Sequence, residues 1–122
     1  MLVRDSATCP HHRVLDHSLL CELLKPGKVK GTKSLGCSVA HAIVPAGEST
    51  LPHRLKRSTE LYYFLEGTGE MYIGEETAPV SPGQIVLIPP GAAQHIRNTG
   101  VRPLVFLCIV APAWCAEDEM LV

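Results

Sequence analysis

HRLKRSTELYYFLEG, residues 53–67, holds a histidine, a carboxylate seven residues later and a strand that closes on glycine. Alternate side chains of a strand share a face, so His53 and Leu55 point one way. Glu60, Tyr62 and Phe64 share a face of the strand that follows. An imidazole and a carboxylate on adjacent strands can meet in the mouth of a barrel, where a divalent ion or a polar substrate fits. The plainer reading of the same residues is a surface histidine and a solvated glutamate beside a loop.

Working outward, ten glycines and ten prolines punctuate the chain, and no long helical periodicity appears. Short apolar runs between turn signals predict an all-β sandwich or barrel. HSLLCELL (17–24) reads as a strand or as one or two helical turns, ended by Pro26-Gly27. CSVAHAIV (37–44) predicts a strand with Val39, His41 and Ile43 on one face and Ala40, Ala42 and Val44 on the other. His41 is there a polar group among apolar neighbours, either a hydrogen-bonded core histidine or a side chain within reach of the cavity that His53 faces. Residues flanking Gly74-Glu75-Glu76 predict a hairpin. QIVLI (84–88) predicts a fully buried strand, and LVFLCIV (104–110) predicts the last one. If Gln94 points inward, His95 and Arg97 point out. Asn98 suits the turn that follows it.

A chain of 122 residues is one domain. We divide it into an N-terminal arm with a first strand, 1–36, that packs on the barrel or on a partner, and a barrel, 37–122. The net charge of −1 gives no electrostatic footprint for nucleic acid or an anionic membrane. The five cysteines are odd in number and lack CxxC spacing, and neither a signal peptide nor a membrane-spanning run is evident. A cytoplasmic protein with free thiols is expected. Cys9, His11 and His12 are ligand types for zinc, but a mobile arm accounts for them too. Lys25, Lys28, Lys30 and Lys33 form a basic loop, solvated or folded over the mouth toward an anionic substrate. Trp114 should pack on the barrel or a partner.

Read with its flanks, the stretch runs Gly47-x5-His53-x-Leu55-x4-Glu60-x6-Gly67, and a second segment runs Gly83-x5-Pro89-x-Gly91-x2-Gln94-x3-Asn98. Together they resemble the two motifs of the cupin superfamily, in order and with the short spacing of compact single-domain microbial cupins. Some of those are described as similar to mannose-6-phosphate isomerase. The resemblance implies a double-stranded jelly-roll barrel and a homodimer, which outward residues such as Leu61, Tyr63 and Leu65 would serve. It departs at the ligands. The family's three histidines and one glutamate become His53, Leu55, Glu60 and Gln94.

The fold alone does not choose a reaction. One reading is a weakly held divalent ion (zinc, manganese, nickel or iron) on His53, Glu60 and Gln94, completed by His41, acting on a small oxygenated metabolite in isomerase- or epimerase-type chemistry. In it Glu60 and His53 move a proton and Tyr62 donates to a developing oxyanion. The alternative is a metal-free module that binds or senses a small molecule. A metal-dependent dioxygenase is third, because redox iron sites generally use two histidines and a carboxylate.

Overall fold

The computed structural model describes residues 1–122. It is almost wholly β. The strands are β1 (His12–Arg13), β2 (Leu19–Leu24), β3 (Ser38–Val44), β4 (His53–Leu55), β5 (Thr59–Glu66), β6 (Gly69–Ile73), β7 (Glu76–Val80), β8 (Ile85–Ile88), β9 (Gln94–Asn98), β10 (Leu104–Ala111) and β11 (Glu119–Leu121). A single 3-10 turn, Ala116–Asp118, precedes β11. The strands form two antiparallel sheets, ordered β1-β2-β3-β10-β5-β8 and β11-β4-β9-β6-β7. No helix is long and apolar enough to cross a membrane.

The two sheets face each other over a core of inward side chains, among them Ala42, Val44, Tyr62, Phe64, Met71, Ile96, Leu104 and Phe106. Aromatic rings fill its centre, with Tyr62 and Phe64 centroids 4.5 and 5.4 Å from Phe106. Strand alternation sorts the chain as expected at β5, where Glu60, Tyr62 and Phe64 are buried while Tyr63 and Leu65 are exposed. It does so again at β9, where Gln94, Ile96 and Asn98 are buried and Arg97 is exposed. His95 lies on the outer side, stacked on Tyr72 at 4.3 Å.

The turns between strands are set by specific groups. Gly67 has φ +81° and sits so close to β10 that an added Cβ would lie 2.5 Å from the Pro103 carbonyl oxygen. Asn98 Nδ2 donates to the carbonyls of Val44 and Arg102, and its Oδ1 accepts from Gly100 N. Buried Asp118 accepts from the backbone N–H groups of Arg57 and Ser58, tying the C-terminal turn to the segment between β4 and β5.

QIVLI is not fully buried. Ile85 and Leu87 are 59% and 62% exposed, because β8 is the edge strand of its sheet and only alternate residues face the core. A continuous apolar run cannot by itself distinguish a two-sided strand from an edge strand carrying an apolar outer face. The N-terminal segment lies on the barrel. Arg4 donates to the carbonyls of Leu23 and Glu22, β1 pairs with β2, and Arg13 meets Glu48 at 2.7 Å.

Candidate functional site

β4 and β5 are consecutive in the chain but belong to opposite sheets, so His53 and Glu60 reach the barrel interior from its two walls. Both line a cavity of about 420 Å³. Tyr62 lines it beside Glu60, two residues along β5. Gln94 is aligned with His53 across the β4–β9 pair, and its Nε2 donates to Glu60 Oε1 at 2.7 Å. This one bond joins the two sheets at the site. His53, Glu60, Tyr62 and Gln94 are therefore brought together.

His41 is not. It is partly buried on the other face of β3, where its Nδ1 shares a hydrogen bond with Nε2 of His11 in the N-terminal segment at 2.9 Å. The reason is alternation. Ala42 and Val44 of the same strand are buried in the core, which leaves the odd-numbered His41 on the opposite face, under the arm. The reach of His41 into the site is thus corrected, and His41 drops out of the ligand set.

Two further acids enter from the ends of the chain. Asp16 lies in the turn before β2, where its Oδ1 accepts from Ser18 N at 2.9 Å and Ser18 Oγ at 2.7 Å. Its other oxygen stands 3.6 Å from His53 Nε2. Glu119, at the start of β11, lines the same cavity. Neither was singled out from the sequence. The Asp16-x-Ser18 pattern, an aspartate able to cap its own turn, was the one local signal for the first. The second depends wholly on β11 pairing with β4.

The electrostatics follow from burial. Glu60 is pushed up to about 8, chiefly by desolvation; the Gln94 hydrogen bond opposes this and the charges of Glu119 and Asp16 add to it. Glu60 is therefore mostly protonated at neutral pH. Burial also raises Glu119, against the pull of His53 and with the push of Asp16. Tyr62 lies well above the usual phenol range, through burial first and Glu60 second, and stays an O–H donor. His53 Nδ1 donates to the Leu51 carbonyl at 2.7 Å, which leaves Nε2 as the nitrogen open to a proton or ligand. Gln94 Oε1 is buried without any partner.

The walls above this polar floor are apolar and aromatic, with Leu20, Phe106, Val110 and Trp114. Trp114 is fastened by its backbone N–H to Ser38 Oγ at 2.9 Å, and the Lys25 ammonium sits 4.7 Å from its ring centroid at the mouth. Lys25 and Lys28 both pair with Glu22.

These donors do not fit a resident divalent ion. His53 is the single imidazole, and Leu55, buried on the same face, offers no lone pair. The Gln94 amide turns its nitrogen toward Glu60. No three His, Cys, Asp or Glu side chains converge with metal-site geometry.

The Cupin domain family matches residues 40–110. The chain belongs to the cupin family. An uncharacterised protein of Methanocaldococcus jannaschii is 43% identical to this cupin over 103 residues, covering 84% of this chain and 80% of that one. The glucose-6-phosphate isomerase of Thermococcus gammatolerans is 42% identical over 71 residues, covering 54% of this chain but 37% of the isomerase. Among solved structures, a predicted oxalate decarboxylase of Thermotoga maritima superposes with a TM-score of 0.79 at 23% identity, covering 91% of this chain and 99% of that one. A Streptomyces nucleoside dehydratase superposes with a TM-score of 0.77 at 20% identity, covering 100% and 91%. At such identities the two structures establish the fold alone.

Proposed function

We propose that this cupin moves a proton on a small oxygenated metabolite, as in isomerisation or epimerisation, with side chains alone and no resident metal. The observation that carries this reading is a buried imidazole with an open Nε2 and a buried carboxyl that keeps its proton, both in one cavity. A carboxyl that burial keeps protonated, in the same cavity as an imidazole nitrogen with a free lone pair, supplies an acid and a base at the same pH.

In this mechanism His53 Nε2 takes a proton from carbon. The charge it gains is offset by Asp16, 3.6 Å away. Glu60 delivers its proton to the substrate oxygen that becomes negative as the carbon–hydrogen bond breaks. Gln94 Nε2 holds Glu60 Oε1, so the carboxyl is positioned and its other oxygen is free to act. Tyr62 donates its O–H to the same developing charge. The apolar walls exclude water, which keeps these interactions strong. Isomerase-type chemistry is also in keeping with the isomerase relatives over the barrel segment.

The test is exchange of carbon-bound hydrogen with deuterated solvent, followed by NMR over a panel of hydroxylated metabolites with chelator present. The wild type should exchange at least one of them. His53→Gln and Glu60→Gln should slow that exchange by about 100-fold or more, the usual share of a general base or acid. Ligand binding without any exchange across the panel would instead favour a non-catalytic binding module and overturn the reading. The outward stripe of Tyr63, Leu65, Ile85 and Leu87 supports a homodimer built through this face of the larger sheet.

A further inference from the structure

The polar floor of the cavity is lopsided. Asp16, Glu22, Glu60 and Glu119 line it, against two basic groups, His53 and Lys25. Lys25 is engaged with Glu22 and over the Trp114 ring, which leaves Asp16, Glu60 and Glu119 with His53 as their one basic neighbour in the lining. The three carboxyls strain one another: the charges of Asp16 and Glu119 push Glu60 up, and that of Asp16 pushes Glu119 up. An anion on this floor would add to that repulsion in a site with little water to screen it. A cation would relieve it. Gln94, 1% exposed beside Glu60, carries a further buried acceptor with no donor of its own. The volume of about 420 Å³ and the walls of Phe106, Val110 and Trp114 call for an organic body rather than a bare ion.

From this cavity we infer that the ligand is an organic amine, its protonated nitrogen toward Asp16 and Glu119 and its apolar or aromatic body against Phe106 and Trp114. The inference rests on the acid–base reading only for the location of the site. It excludes phosphorylated and carboxylated compounds from the buried end, in contrast to what glucose-6-phosphate isomerase, named for a phosphorylated sugar, acts on.

Four probes with one body and different heads test it: benzylamine, benzyl alcohol, benzoate and benzyl phosphate. Dissociation constants are measured by NMR titration of the full chain at neutral pH. Benzylamine should bind at least about tenfold more tightly than benzyl alcohol, a difference of about 1.4 kcal/mol, and the two anions should bind more weakly than the alcohol. Glu119→Gln should bring the amine to within about threefold of the alcohol. Asp16→Asn, which keeps an oxygen for the Ser18 turn, gives a second variant should the first fail to fold. Equal binding of all heads, tighter binding of either anion, or no benzylamine binding up to its solubility limit would each overturn the inference. Displacement of benzylamine by manganese ions would assign the carboxyls to a metal and overturn it as well. Amine selectivity without any carbon–hydrogen exchange would leave this inference standing while the catalytic reading fell. Exchange of a neutral metabolite without amine selectivity would do the reverse.

Discussion

Replacing Glu60 by glutamine should make the protein more stable at neutral pH, although it alters a buried residue at the centre of the site. The carbonyl of the introduced amide can still accept the Gln94 bond, so packing and hydrogen bonding are kept while the titrating proton is removed. In the wild type the Glu60 carboxyl has its ordinary value of 4.5 when unfolded and about 8 when folded. Between those values the native state holds a proton that the unfolded state has released. Stability attributable to this group is therefore fully present below about 4.5 and falls as pH rises, by up to about 1.4 kcal/mol per unit. The loss reaches about 3 kcal/mol at pH 7 and levels off near 5 kcal/mol above the folded value. The variant lacks this slope. Guanidinium unfolding of both proteins at steps from pH 5 to 9, with m-values compared to confirm similar unfolding, gives the difference directly. The rise of Glu119 is common to both and largely cancels. Wild-type and variant stabilities that run parallel across this range would show that Glu60 ionises normally, and the argument from desolvation would be wrong.

Three other outcomes are expected. Asp118→Ala should cost about 3 kcal/mol in denaturant unfolding, because it strands the N–H groups of Arg57 and Ser58 that the carboxylate now accepts; a change below about 1 kcal/mol would refute that role. If the proposed homodimer forms through this face, the wild type should sediment as a dimer and Ile85→Lys with Leu87→Lys as a monomer, since both side chains stand exposed on the edge strand; a monomeric wild type or an unchanged dimer would refute that interface. Leu55→His with Gln94→His should confer retention of about one equivalent of cobalt or nickel after gel filtration, as imidazoles are the commonest transition-metal ligands. A wild type that retains as much metal would contradict the donor analysis of the barrel.

Much of the barrel was legible because β-sheets repeat every two residues. Once one inward residue of β5 or β9 is identified, the rest follow: Glu60, Tyr62 and Phe64 share the buried face expected of them, and with Gln94 buried Arg97 is exposed and His95 lies on the outer side. The framing turns were legible for a local reason, since Gly47, Gly67, Gly83 and Gly91 all take φ between +79° and +87°, where a Cβ is disfavoured. Facts that depend on which face of a sheet is covered were not legible. The alternation at β3 gave two faces correctly but did not say which one looked into the cavity, and His41 fell on the side that the N-terminal segment covers. For β8 the apolar run gave no sign that its strand was an edge. Asp16 and Glu119 were missed because nothing near His53 or Glu60 in the chain signals them. They arrive through the pairing of terminal segments with the barrel, a non-local property.

The central claim is that the barrel holds a neutral acid and an open base together without a metal ion. The most direct measurement is a carbon-13 NMR titration of the Glu60 carboxyl in protein labelled at glutamate and prepared with chelator, with Glu60→Gln used to assign the resonance. The account predicts a midpoint near 8, as burial dictates, with His53 Nδ1 still protonated and bound to Leu51. A midpoint in the ordinary range near 4.5 would mean that Glu60 is a plain carboxylate at neutral pH, and the acid–base pairing proposed for this cupin would be contradicted.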